Sequence, residues 1–91
     1  MKSYASVDRL EGDFLVCEVE LIEVEESNPT DFDKPTEMID ILLEYANAKL
    51  GMVLEGDIIV VEHEAGIVTE ILSKDEAEKQ RRIEVLKTIM E

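Results

Sequence analysis

Two apolar runs dominate the hydropathy pattern, and the same four residues launch each of them. Leu10-Glu11-Gly12-Asp13 precedes Phe14-Leu15-Val16-Cys17-Glu18, and Leu54-Glu55-Gly56-Asp57 precedes Ile58-Ile59-Val60-Val61-Glu62. A polar turn holding one glycine, followed by four apolar residues, is the pattern of a tight turn feeding a strand buried on at least one face. The first run predicts a strand from Phe14 to about Val24. Its Leu15, Cys17, Val19 and Leu21 share one wholly apolar face, while Phe14, Val16, Glu18, Glu20 and Ile22 form a mixed one. Upstream, Ala5 and Val7 alternate with Ser6 and Asp8, which predicts a strand over 3–9 and an antiparallel hairpin across the short glycine loop. The second run predicts a strand over 58–64, a turn at Ala65-Gly66 and a returning strand over 67–72.

The pattern changes outside these hairpins. Residues 25–35 hold both prolines, an Asn-Pro step and several acids, which predicts a loop. Over 36–49 two periods compete. Met38, Ile41, Leu42, Tyr45 and Ala46 fit a helix with Thr36 as its cap and Gly51 as its terminator, and Glu44 to Lys49 favour a helix by propensity. Ile39, Ile41, Leu43 and Tyr45 also alternate, so the rival is a short strand over 38–42 followed by a helical turn. The helix over 36–49 is the preferred reading. Ser73-Lys74-Asp75-Glu76 has the form of a capping box opening a helix over 74–90. That helix is charged from Lys74 to Arg82 and apolar at Ile83, Val85, Leu86, Ile89 and Met90, so it is expected to dock by its C-terminal end with its charged start in water. Alternatively, Ile83, Leu86 and Met90 form a stripe for another subunit.

These elements predict an α+β, β-rich fold: a small antiparallel curled sheet or partly open barrel of four to five strands. A C-terminal helix, and a short central helix if 36–49 is helical, would cover the sheet edges. Ninety-one residues, 45% of them apolar, suit a single domain with one small core.

Charge narrows the function classes. With 23 acidic against 9 basic residues the net charge is −14, which argues against a nucleic-acid backbone or an anionic membrane as partner. It favours solubility and encounter with a basic protein. One cysteine cannot form an intrachain disulfide, in keeping with a reducing compartment. The N-terminal residues show no signal-peptide pattern, and no run approaches the length of a spanning helix. A cytoplasmic location is therefore expected.

Candidate chemistry is sparse. Cys17 lies on the apolar face of its strand and aligns with Val61 in the repeated phrase, which predicts a core residue rather than a nucleophile. His63, the only histidine, shares a face with Ile59 and Val61 and is expected to be partly buried and structural. One histidine and one cysteine do not supply a zinc site. Asp31, Asp33 and Glu37 could gather a divalent cation, although their spacing is not that of a calcium loop. Asp13 and Asp57 could serve as an acid–base pair. Their recurrence beside Gly12 and Gly56 instead predicts structural turns, with each carboxylate bonding local backbone donors. No phosphate loop, dinucleotide fingerprint or serine elbow is present, and two Tyr, two Phe and no Trp offer little platform for stacking bases. No catalytic residue and no cofactor is assigned.

Val7-Asp8-Arg9-Leu10-Glu11-Gly12-Asp13-Phe14-Leu15-Val16, the second Glu55-Gly56-Asp57-Ile58-Ile59 and the charged, Arg-containing tail helix resemble a family of small bacterial proteins, domain of unknown function 3006. The resemblance covers about half the chain. It implies a small β-rich domain that occurs alone or appended to a larger protein such as a hydrolase of the metallo-β-lactamase fold. It implies no catalytic residues. Residues 25–50 form a longer segment between the two glycine turns than the family usually has. The expected function is thus a non-enzymatic accessory module that offers the rim or edge of its sheet to a protein. One alternative is a homodimer paired through the apolar end of the terminal helix and the 38–46 segment. Another is a metal-binding or hydrolytic domain built on its Asp and Glu clusters.

Overall fold

Tight turns set the strand order. Gly12 (φ 60°) and Asp13 join β1 (Lys2–Glu11) to β2 (Phe14–Glu20), with glycine at the first turn position as a type II′ connection requires. Ala65 and Gly66, both at positive φ (52° and 80°), join β4 (Ile58–Glu64) to β5 (Ile67–Lys74) in the manner of a type I′ turn. Between the hairpins, β3 (Thr36–Leu42) runs back along β2 and passes directly into the short helix α1 (Leu43–Leu50), which ends at Gly51 (φ 76°). The chain then returns to lay β4 on the far side of β1.

The computed structural model, which describes residues 1–90, thus holds a five-stranded antiparallel sheet in the order β3-β2-β1-β4-β5, followed by α2 (Glu76–Met90). Three consecutive strands with a fourth returning beside the first make a Greek key. The sheet curls into a half-barrel whose two edge strands are β3 and β5.

The concave side carries the core. Ala5 and Val7 from β1, Leu15, Cys17 and Val19 from β2, Ile39 and Ile41 from β3, Ile59 and Val61 from β4 and Ile71 from β5 meet there, and Ala46 of α1 and Val53 plug one end. Alternation does the sorting, since every second residue of each strand faces inward. A second, smaller cluster of Tyr4, Ile58 and Val60 lies on the convex side, against Val24.

Four expectations need correction. Residues 36–49 are not one helix: 36–42 is a strand and only 43–50 is helical. Ile39 and Ile41 complete the core face opposite Cys17 and Leu15, and that tertiary pairing outweighs the competing helical spacing. β2 stops at Glu20 rather than near Val24, because the carboxylate of Glu20 is tied to Lys34, Arg82 and Ser27 where the chain bends into a 3-10 turn at Val24–Glu26. The capping box is not Ser73–Glu76. Ser73 still pairs with Val60 in β5, and Asp75 caps α2 instead, its Oδ1 accepting from Glu78 N at 2.9 Å. Finally, α2 docks by its charged half and leaves its apolar end in solvent: Glu78 is 3% exposed, Met90 83%.

Candidate functional site

The two copies of the repeated phrase part company in three dimensions. At the second, Gly56 sits at φ 87°, which a side chain would make costly, and Asp57 N donates back to Leu54 O at 3.1 Å. The Asp57 carboxylate is buried. Its Oδ2 accepts from Leu54 N at 2.8 Å and its Oδ1 from Lys79 Nζ of α2 at 2.8 Å, with Lys74 Nζ 3.9 Å away. Burial pushes the pKa of Asp57 upward. The Lys79 hydrogen bond, the Leu54 N–H and the charges of Lys79 and Lys74 together outweigh it and hold the group below the ordinary carboxylate range. Asp13, in contrast, is exposed and contributes its backbone carbonyl, which accepts from Leu43 N at 2.9 Å. The structure therefore keeps Asp57 in a turn that anchors α2, and Asp13 in a hairpin loop that marks the start of α1.

Cys17 is fully buried in the core between Val7 and Ile39, its partners on the flanking strands, and burial, with the nearby Asp40 carboxylate, pushes its thiol up to about 12. So high a value leaves almost no thiolate at neutral pH. His63 is buried with its Nε2 2.8 Å from Ser3 Oγ. Ser3 Oγ donates its single proton to Ile22 O at 2.6 Å, so it must accept from His63 Nε2–H, which fixes the imidazole tautomer. A serine beside a histidine has the composition of a nucleophile and its base. Here the serine is fully buried and its proton is spent on a backbone carbonyl, so the pair ties β1, β4 and the end of β2 together.

A network of buried charge fastens α2 to the convex face. Glu78 accepts from Arg81 Nε and Arg82 Nε, each at 2.8 Å, and Arg82 Nη2 lies 3.0 Å from Glu20, which also takes Lys34 at 3.3 Å and the Ser27 hydroxyl at 2.7 Å. The Arg82 guanidinium stands 5.1 Å from the centre of the Tyr4 ring, a stacked cation over an aromatic face. No buried side-chain nitrogen or oxygen among the described residues lacks a hydrogen-bond partner. Every buried polar atom in this network therefore has a structural occupation.

The part of the sheet with unmet bonding capacity is the seam between β3 and β5. β3 pairs with β2 over seven residues, from Phe14 opposite Leu42 to Glu20 opposite Thr36, without a register shift. Leu21 N donates to Pro35 O and Leu43 N to Asp13 O, both at 2.9 Å, bracketing the ladder at its two ends. Hydrogen-bonded pairs alternate along an antiparallel ladder, so residues 37, 39 and 41 direct their backbone N–H and C=O at β2. Thr36, Met38 and Asp40 direct theirs away from it, into the seam, while Leu42, the N-cap of α1, gives its C=O to the first turn of that helix. β5 forms the other wall but its pairing with β4 shifts register twice, after Val60 and after Glu62 of β4. Such irregularities twist an edge and protect it from pairing. An open slot lies between the walls, lined by Ile39, Asp40, Ile41 and Leu42 of β3, Tyr45 of α1 and Gly66, Ile67 and Val68 of the β4–β5 turn and β5. Ile67 is 64% exposed and Leu42 56%.

The acids singled out as cation ligands do not converge. Asp31 and Asp33 share a loop, where Asp31 Oδ1 accepts from Asp33 N at 3.0 Å, while Glu37 stands at the end of the seam against Gly66. Among the described residues no three His, Cys, Asp or Glu side chains gather as a metal site, and no helix is long and apolar enough to cross a membrane. Sequence reading missed Ser3, Glu20, Glu78 and Arg82. Glu20 had a signal, since it sits on the convex face of a core strand where a charge needs a partner, but its cations lie 14 and 62 positions downstream. Comparison with family models, with curated proteins and with solved structures found no match.

Proposed function

We propose that this chain is a protein-interaction module that offers the edge of an open half-barrel to its partner. The observation that carries the reading is the β3 edge: a regular strand whose second side faces an apolar slot instead of a sixth strand. Groups that could do chemistry, namely Cys17, His63, Ser3 and Asp57, are engaged in holding the fold. The net charge of −14 steers encounter toward a basic protein and away from nucleic acid. The resemblance carried by Val7–Val16 agrees, since it implies a small domain found alone or appended to a larger one.

Native sizing of the tagged chain in extracts of its source cell tests the reading. A discrete heteromeric complex that dissociates as salt is raised is the expected result. Elution as a monomer both in extract and when purified would overturn it. A second reading rests on α2, whose Leu86, Ile89 and Met90 remain exposed: the chain could pair with a second copy through that end. Sedimentation at micromolar concentration separates the two, since the homodimer requires twice the 10.3 kDa protomer mass without any partner.

A further inference from the structure

Resting on the interaction reading, we propose a specific mode and partner chemistry: β3 takes up a sixth strand, an extended segment of another protein with apolar residues at alternate positions and lysine or arginine between them. The backbone defines the occupant. Met38 and Asp40 turn a row of donors and acceptors into the seam, and only an extended chain can meet such a row along its length. Side chains on the inner face of that chain land in the slot beside Ile41, Tyr45, Ile67 and Val68, where apolar groups are required. On β3 itself the outward Asp40 stands between Met38 and Leu42 and calls for an opposite charge directly across the pair.

Charge complementarity excludes the simplest competitor. Glu37 and Asp40 border the seam and take part in none of the ion pairs among the described residues. A second copy of β3 laid on the first would bring acid against acid, on protomers that each carry −14. The same acids attract a basic strand. β5 cannot serve equally well, because its register shifts break the regular spacing that a long partner strand needs.

The test uses the full chain and a synthetic peptide of about ten residues alternating valine with lysine, with a glutamate-for-lysine peptide as control. Binding is read by fluorescence anisotropy and located by amide chemical-shift changes. The lysine peptide is expected to bind, more weakly as salt rises, and to shift Met38, Asp40, Tyr45, Ile67 and Val68; the glutamate peptide is expected not to bind. Asp40→Pro removes one seam-facing N–H and one charge while sparing the β2 ladder, and should weaken binding at least about tenfold. Should that variant melt early, Asp40→Lys, which keeps the backbone, should lose binding by a similar factor. Unchanged affinity in both variants, or shifts confined to α2, overturns the β3 mode. If the peptide fails to bind but the chain still enters a heteromeric complex in extract, the strand-addition proposal falls and the interaction reading stands. If no complex forms either, both fall.

Discussion

Asp13 and Asp57 occupy the same place in the same phrase, yet only Asp57 is buried between a turn and a helix. Its depressed pKa has a consequence for acid stability. An unfolded aspartate titrates near about 3.9, and the native group titrates lower, so between the two values the unfolded state binds more protons. The stabilisation is complete above about pH 4 and is lost as pH falls through the native pKa. Asp57→Asn should cost about 1–3 kcal/mol at neutral pH and flatten the acid limb of the curve, measured as urea midpoints from pH 7 downward. Ala65 offers the opposite sign. A non-glycine side chain held at φ 52° is strained, and asparagine tolerates that region while suiting the first position of a type I′ turn. Ala65→Asn should therefore raise stability by about 0.5–1 kcal/mol, read as a higher melting temperature.

Among the elements, α2 is the one whose attachment defies its own hydropathy. Its Leu86, Ile89 and Met90 lie outside while Glu78 and Arg82 lie inside, because Arg82 pairs with both Glu78 and Glu20 and Lys79 pairs with Asp57 on the sheet. Breaking one partner of a buried pair leaves the other uncompensated, so Arg82→Ala should destabilise by about 3–5 kcal/mol, with chemical denaturation as the measurement. The strands, in contrast, were largely legible. Alternation of Leu15, Cys17 and Val19, and of Ile59 and Val61, reports burial through local spacing, and the structure puts these residues in one core. The Leu-Glu-Gly-Asp turns were legible for a related reason, since glycine marks positive φ wherever it is needed. β3 was not, because Met38, Ile41, Leu42 and Tyr45 fit a helix equally well and only the face of β2 decides between the two periods. The docking of α2 was hidden because charge pairs between distant residues leave no periodic trace.

For the whole molecule, the Greek-key order leaves a barrel that does not close. One edge is guarded by irregular pairing, and the other is regular, flanked by apolar groups and bordered by acids. The sequence pointed to a partly open barrel, but which strands form its edges could not be read from it, because an edge is a property of strand order and not of any strand. Amide hydrogen exchange along β3 tests the open edge most directly. Residues whose N–H groups bond β2 should be protected, and those facing the seam should exchange with solvent. The expected pattern in the free monomer is slow exchange at Ile39 and Ile41 and fast exchange at Met38 and Asp40. Equal protection at all four positions would mean that the edge is already paired, and would contradict the account.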